Sequence, residues 1–88
     1  MISVKTESGF ECSIDETIAD DMEVLDDIAL LDEQPHILSR LLLKILGGEQ
    51  KKAMYDHLRR EDGRVPVEPV LKLFVEIMNK AGEATKNS

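Results

Sequence analysis

The sequence predicts a mainly α domain with a small N-terminal β-hairpin, an α+β chain whose bulk is a compact bundle of about four helices. Three observations predict it. Apolar and polar residues alternate on both sides of Glu7-Ser8-Gly9, the period of a half-buried strand. From Thr17 onward apolar residues recur at three- and four-residue spacing, the period of a helix packed on one side. Gln34-Pro35, Gly47-Gly48 and Asp62-Gly63, followed by Pro66, then cut that helical stretch into pieces.

Residues 2–14 form the hairpin. Ile2-Ser3-Val4-Lys5-Thr6 and Phe10-Glu11-Cys12-Ser13-Ile14 would each turn one apolar face inward, made of Ile2, Val4, Phe10, Cys12 and Ile14. A lone hairpin is marginal in water, so this one must lie on helices or pair with another chain. The first helix is expected over 17–32. Asp15 and Thr17 offer N-caps, and Thr17-Ile18-Ala19-Asp20 is a loose capping box with Asp in place of Glu. Ile18, Met22, Leu25 and Ala29 follow at helical spacing, widened by Val24, Ile28 and Leu31, with Asp20, Asp21, Glu23, Asp26 and Asp27 on the opposite face.

Proline at position 35 suits the first turn of a second helix over 35–46, which Gly47-Gly48 stops. Between Ile37 and Leu46 only Ser39, Arg40 and Lys44 are polar, so this helix is apolar on most sides. It is either the central element of the bundle or a partly exposed docking face built from Ile37, Leu38, Leu41, Leu42 and Ile45. A third helix over 49–61 turns Ala53, Met54, His57 and Leu58 inward and ends at a left-handed Asp62-Gly63 cap. The last helix, 67–82, buries Val70, Leu71, Phe74, Ile77 and Met78, with Val67 and Ala81 at its ends, and Gly82 stops it. Residues 1–82 are thus one globular domain, and 83–88 a flexible polar tail. No internal repeat is visible.

Composition narrows the function. Eighty-eight residues hold one core, and a chain of this size buries only about 60–65% of the surface it exposes when unfolded. Phe10, Phe74 and Tyr55 are the only aromatics, so the core is aliphatic, and Met22, Met54 and Met78 would suit either core filling or an adaptable surface. Residues 1–33 carry eleven acids against one base, whereas residues 34–88 are net basic by three charges. An acidic net charge of −7 and the absence of a basic stripe with interleaved aromatics argue against nucleic-acid binding. The longest apolar run falls well short of the ~20 residues of a membrane span, and residues 1–7 lack the apolar region of a signal peptide, so a soluble intracellular protein is expected.

No catalytic or ligand-binding constellation emerges. Arg60-Glu61-Asp62-Gly63-Arg64-Val65 invites an EF-hand reading, but aligning Gly63 with the loop glycine places Leu58, Arg60 and Pro69 where carboxylate ligands belong. Cys12, His36 and His57 lack the paired spacings of a metal site and the base-and-orienter arrangement of a cysteine nucleophile. No enzyme activity, metal or cofactor is expected.

Glu49-Gln50-Lys51-Lys52-Ala53-Met54-Tyr55-Asp56-His57-Leu58, with Asp62-Gly63-Arg64-Val65-Pro66-Val67-Glu68 after it, resembles the small tail assembly chaperones of long-tailed, non-contractile bacteriophages and prophages. The likeness extends to the hairpin, the acidic helix ending in Leu30-Leu31-Asp32, the apolar second helix and the Lys-Asn-Ser terminus. It implies a non-enzymatic protein of the bacterial host cytoplasm, absent from the finished virion, which binds the tape measure protein, keeps it soluble and helps recruit tail tube subunits. It also implies a longer product made by ribosomal frameshifting. Thr85-Lys86-Asn87 can be encoded ACA-AAA-AAC, which contains a slippery heptamer. The resemblance transfers no binding residue by motif. A different reading is a small acidic inhibitor that mimics DNA, with the acids of the first helix as phosphate surrogates. Homo-oligomerisation through the hairpin edges or the second helix is open to either.

Overall fold

The computed structural model describes residues 1–86 and is mainly helical, with one hairpin. Strands β1 (Ile2–Lys5) and β2 (Glu11–Ile14) pair antiparallel, with Ile2 opposite Ile14 and Val4 opposite Cys12. Val4, Phe10, Cys12 and Ile14 are buried on the inner face, as the alternation predicts. The turn closes through Gly9 N–H to Thr6 O and Thr6 N–H to Phe10 O, and Gly9 takes φ +94°. That is a three-residue loop with glycine at its left-handed position. Thr6 is buried and donates its hydroxyl to Phe10 O as well, which pins the end of the ladder.

Both edges of this two-stranded sheet meet side chains. Gln50 accepts from Ser13 N–H (2.7 Å) and donates to Ser13 O (2.8 Å), occupying the outer edge of β2 as a strand residue would. On the other edge, Lys80 donates to Lys5 O and Glu76 accepts from Glu7 N–H. Side chains that take up edge groups oppose edge-to-edge pairing with another chain.

After the hairpin, a 3₁₀ turn (Glu16–Asp20) is capped by Asp15, which accepts from Thr17 N–H. Helix α1 (Met22–Leu30) then starts afresh at a second cap, Asp21, which accepts from Glu23 N–H. The single helix expected over 17–32 is therefore broken at Asp21, because two aspartates each satisfy a first-turn donor.

The two helices expected over 35–46 and 49–61 follow each other without a loop in α2 (Ile37–Leu58), divided by a kink at Gly47, so three helical runs stand where about four helices were expected. Gly47 sits at φ +80°, ψ +165°, a conformation open to glycine almost alone, so the chain bends there and helix resumes at once. Beside the bend, Gln50 Nε2 donates to Leu46 O at 2.8 Å. One glutamine thus ties the bend to β2. The helix ends at Leu58, earlier than expected. Gly63 (φ +87°) belongs instead to a separate turn, in which Gly63 N–H donates to Arg60 O and Arg60 N–H to Arg64 O.

Helix α3 (Val67–Lys86) carries Pro69 in its first turn, where the missing N–H has no helical partner to lose. It runs through Gly82, so the polar tail expected over 83–88 is helical as far as Lys86, while Asn87 and Ser88 lie outside the described residues.

The hairpin lies on α2 and α3, and α1 packs on α2. Leu41, Leu42, Met54, Ile77 and Val24 are the most deeply buried large side chains. The second half of α2 buries Met54 and half-buries Tyr55 and Leu58, whereas Ala53 and His57, expected inward, are exposed. In α3 the buried set is Val70, Leu73, Phe74, Ile77 and Ala81, so Leu73 holds the place expected of Leu71.

Candidate protein-docking surface

The five residues expected as a docking face, Ile37, Leu38, Leu41, Leu42 and Ile45, are all in the interior. Of the two alternatives for this apolar helix, the fold takes the central one. The hairpin, α1 and α3 all press on α2, and only Leu43 of its large apolar residues faces solvent. Leu38 alone reaches a surface depression. That notch, about 240 Å³, is lined by Pro35, His36, Leu38, Ser39, Tyr55, Val65, Val67 and Val70. Lys51 closes one side of the same region, donating to Ser39 Oγ at 2.9 Å with its ammonium 5.6 Å from the Tyr55 ring centroid.

The unpartnered apolar surface lies elsewhere, on α1 and α3. In α1 the core face is Val24, Asp27, Ile28 and Leu31, so Met22, Leu25 and Ala29, expected inward, are exposed. The inward turn of Asp27 decides this phase. Its Oδ1 accepts from Arg40 Nη2 at 2.7 Å, and Lys44 Nζ lies 3.6 Å from Oδ2, an oxygen with no hydrogen bond of its own. The Arg40 hydrogen bond holds the Asp27 carboxyl below the usual carboxylate range against the opposing effect of burial, and the charges of Arg40 and Lys44 add to it. A carboxylate only 7% exposed is tolerable because α2 delivers two cations to it. This corrects the expectation that Asp27 belongs to a solvated face.

On α3, Val67, Leu71 and Val75 form a second stripe, 67%, 38% and 47% exposed, spaced four residues apart and continuous with half-buried Met78. Between this stripe and α1 runs an open groove of about 340 Å³, lined by Ile28, Leu31 and Asp32 on one wall and Leu71, Phe74, Val75, Met78 and Asn79 on the other. Among the described residues no lysine or arginine lines it. Asp20, Asp26, Asp32 and Glu33 make no ion pair among the described residues, whereas Glu23 and Asp27 are drawn toward Lys44 and Arg40 on the other side of α1. Two acids of α1 thus face the cations of α2, while Asp32, just past the helix, stands in the wall of the groove.

Sequence reasoning missed Val75 and misplaced Leu71. The available signal was the width of the apolar arc in the last helix: Val67, Leu71 and Val75 repeat at four residues beside Val70, Phe74 and Ile77, wider than one packed face needs.

The other candidate residues do not converge. Cys12 is buried under the hairpin, where burial pushes its thiol pKa up, away from nucleophilic use. His57 lies against the hairpin turn, its Nε2 3.1 Å from Ser8 Oγ and its ring 5.7 Å from that of Phe10. His36 is exposed just before α2, in the lining of the notch beside Leu38 and Tyr55. Among the described residues no group of three or more His, Cys, Asp and Glu is placed to hold a metal, and no helix is long and apolar enough to cross a membrane. Compared with protein-family models, curated proteins and solved structures, the chain matches none.

Proposed function

We propose that this chain is a tail assembly chaperone of a long-tailed, non-contractile bacteriophage or prophage. It binds the tape measure protein, keeps that long helical protein soluble and helps recruit tail tube subunits in the bacterial cytoplasm, without catalysis and without entering the finished virion. Two lines support this reading: the resemblance carried by residues 49–58 and 62–68, and the apolar surface left open between α1 and α3. The second carries more weight, because a small domain with a complete core that still exposes Met22, Leu25, Leu71 and Val75 has surface to spend on another protein.

The DNA-mimic alternative is less well supported. Asp27, one of its proposed phosphate surrogates, is turned inward onto Arg40, and the remaining acids of α1 alternate with exposed Met22 and Leu25 instead of forming a continuous anionic face.

The test is co-expression with the tape measure protein of the same phage or prophage. The tape measure protein is expected in the soluble fraction only when the chain is present. Equal solubility without it would refute the proposal.

A further inference from the structure

We infer that the α1–α3 groove is a docking site for one amphipathic α-helix whose flanks are basic. The inference deepens the chaperone reading by naming the surface and the chemistry of the bound segment, and it rests on that reading only for the identity of the partner.

The groove has the shape a helix requires. Its apolar floor runs along α3 from Leu71 to Met78, roughly 10 Å at 1.5 Å per residue, about two turns of a bound helix. Anchors at i, i+3 or i+4, and i+7 on a partner helix would meet Leu71, Val75 and Met78 from one side and Ile28 and Leu31 from the other. Ile28, Leu31 and Met78 already pack against the core, so docking orders little of that part of the groove that is not ordered already.

Charge selects the occupant. Asp32 stands in the wall itself, and Glu83 flanks Met78 and Asn79 at the far end of the groove. Lys72 of α3 is taken by Glu68 at 3.5 Å. An incoming helix therefore meets apolar contact at the centre and uncompensated negative charge at the rim, which favours lysine and arginine flanks and repels acidic ones. A second copy of this chain is the wrong occupant. Its own groove is acidic, and a symmetric pairing would bring Asp32 and Glu83 of one copy against those of the other.

The probe is a pair of synthetic 18-residue helices sharing one leucine face, one flanked by lysines and the other by glutamates. Binding is followed by calorimetry on the full chain, together with sedimentation of the chain alone. The lysine peptide is expected to bind, weakening as salt rises, and the glutamate peptide is not. The double variant Leu71→Gln/Val75→Gln, whose side chains are partly exposed and whose circular dichroism should stay native, is expected to lose at least about tenfold in affinity. Leu43→Gln, an exposed apolar residue outside the groove, should bind as the parent does. Asp32→Lys/Glu83→Lys should reverse the preference between the peptides. Equal binding of both peptides, no binding of either, or equal losses at Leu43 and at Leu71/Val75 would overturn the inference. So would a dimer of the chain that the Leu71/Val75 variant dissolves. Co-expression separates the two proposals: a Leu71→Gln/Val75→Gln chain that still solubilises the tape measure protein sinks the groove and leaves the chaperone standing. Groove binding with the expected charge preference, in a chain that solubilises nothing, does the reverse.

Discussion

Two adjacent glycines should respond to alanine with opposite signs. Gly47 sits at φ +80°, ψ +165°, whereas Gly48 beside it is helical, and a Cβ at either position meets no atom within 4 Å. Sterics with neighbours therefore cancel from the comparison, leaving the backbone. At Gly47 an alanine must adopt a region that costs about 1–3 kcal/mol outside glycine, offset by about 0.4–1 kcal/mol from the stiffer unfolded chain. The net loss is about 1–2 kcal/mol, or a melting temperature lower by about 5–15 °C for a domain of this size. At Gly48 only the unfolded-state effect and a better helix propensity remain, so Gly48→Ala should stabilise by about 0.4–1 kcal/mol. Thermal melts by circular dichroism and urea titrations at constant m-value read both effects. If Gly47→Ala is as stable as the parent, or if both variants shift the same way, the bend at Gly47 is not what separates the two halves of α2.

Four further outcomes follow from the same contacts. Leu41→Ala should cost about 2–5 kcal/mol in urea unfolding, as for a fully buried leucine, whereas Leu43→Gln should stay within about 0.5 kcal/mol; similar small losses for both would return α2 to the surface. Gln50→Ala strips Ser13 N–H, Ser13 O and Leu46 O of their shared partner, for a loss of about 1–3 kcal/mol, and the Ser13 amide should exchange faster; unchanged exchange would show that the edge is not held by Gln50. Because Arg40 holds Asp27 below its ordinary pKa, that pair's contribution is fully present above the unfolded carboxylate range near pH 4 and is lost as pH falls through the lower folded value. The acid limb of the stability curve should flatten in Asp27→Asn, and an unaltered limb would count against the pair. Native Cys12 should react slowly with a thiol reagent and rapidly in urea, since burial both hides the thiol and raises its pKa; fast native labelling would mean the hairpin opens readily.

The sequence by itself determined the hairpin, down to its inner face, because a period of two leaves a strand only two choices and Gly9 marks where the chain must turn. It also placed the helical segments and the changes of direction at Pro35, Gly47 and Pro66, since those residues restrict the backbone locally. What it left open was phase. Met22-Leu25-Ala29 and Val24-Ile28-Leu31 are both sound helical stripes, and so are Leu71-Val75 and Leu73-Ile77. A helix with apolar residues around more than half its circumference has no single inward face until its neighbours supply one. Arg40 and Lys44, one turn apart on α2, drew Asp27 inward and so rotated Met22 and Leu25 out. The hairpin and α2 claimed Leu73 and Ile77, leaving Leu71 and Val75 for the groove. The docking surface is therefore a remainder. It consists of the apolar residues that one small core could not cover, and only tertiary packing determines which those are.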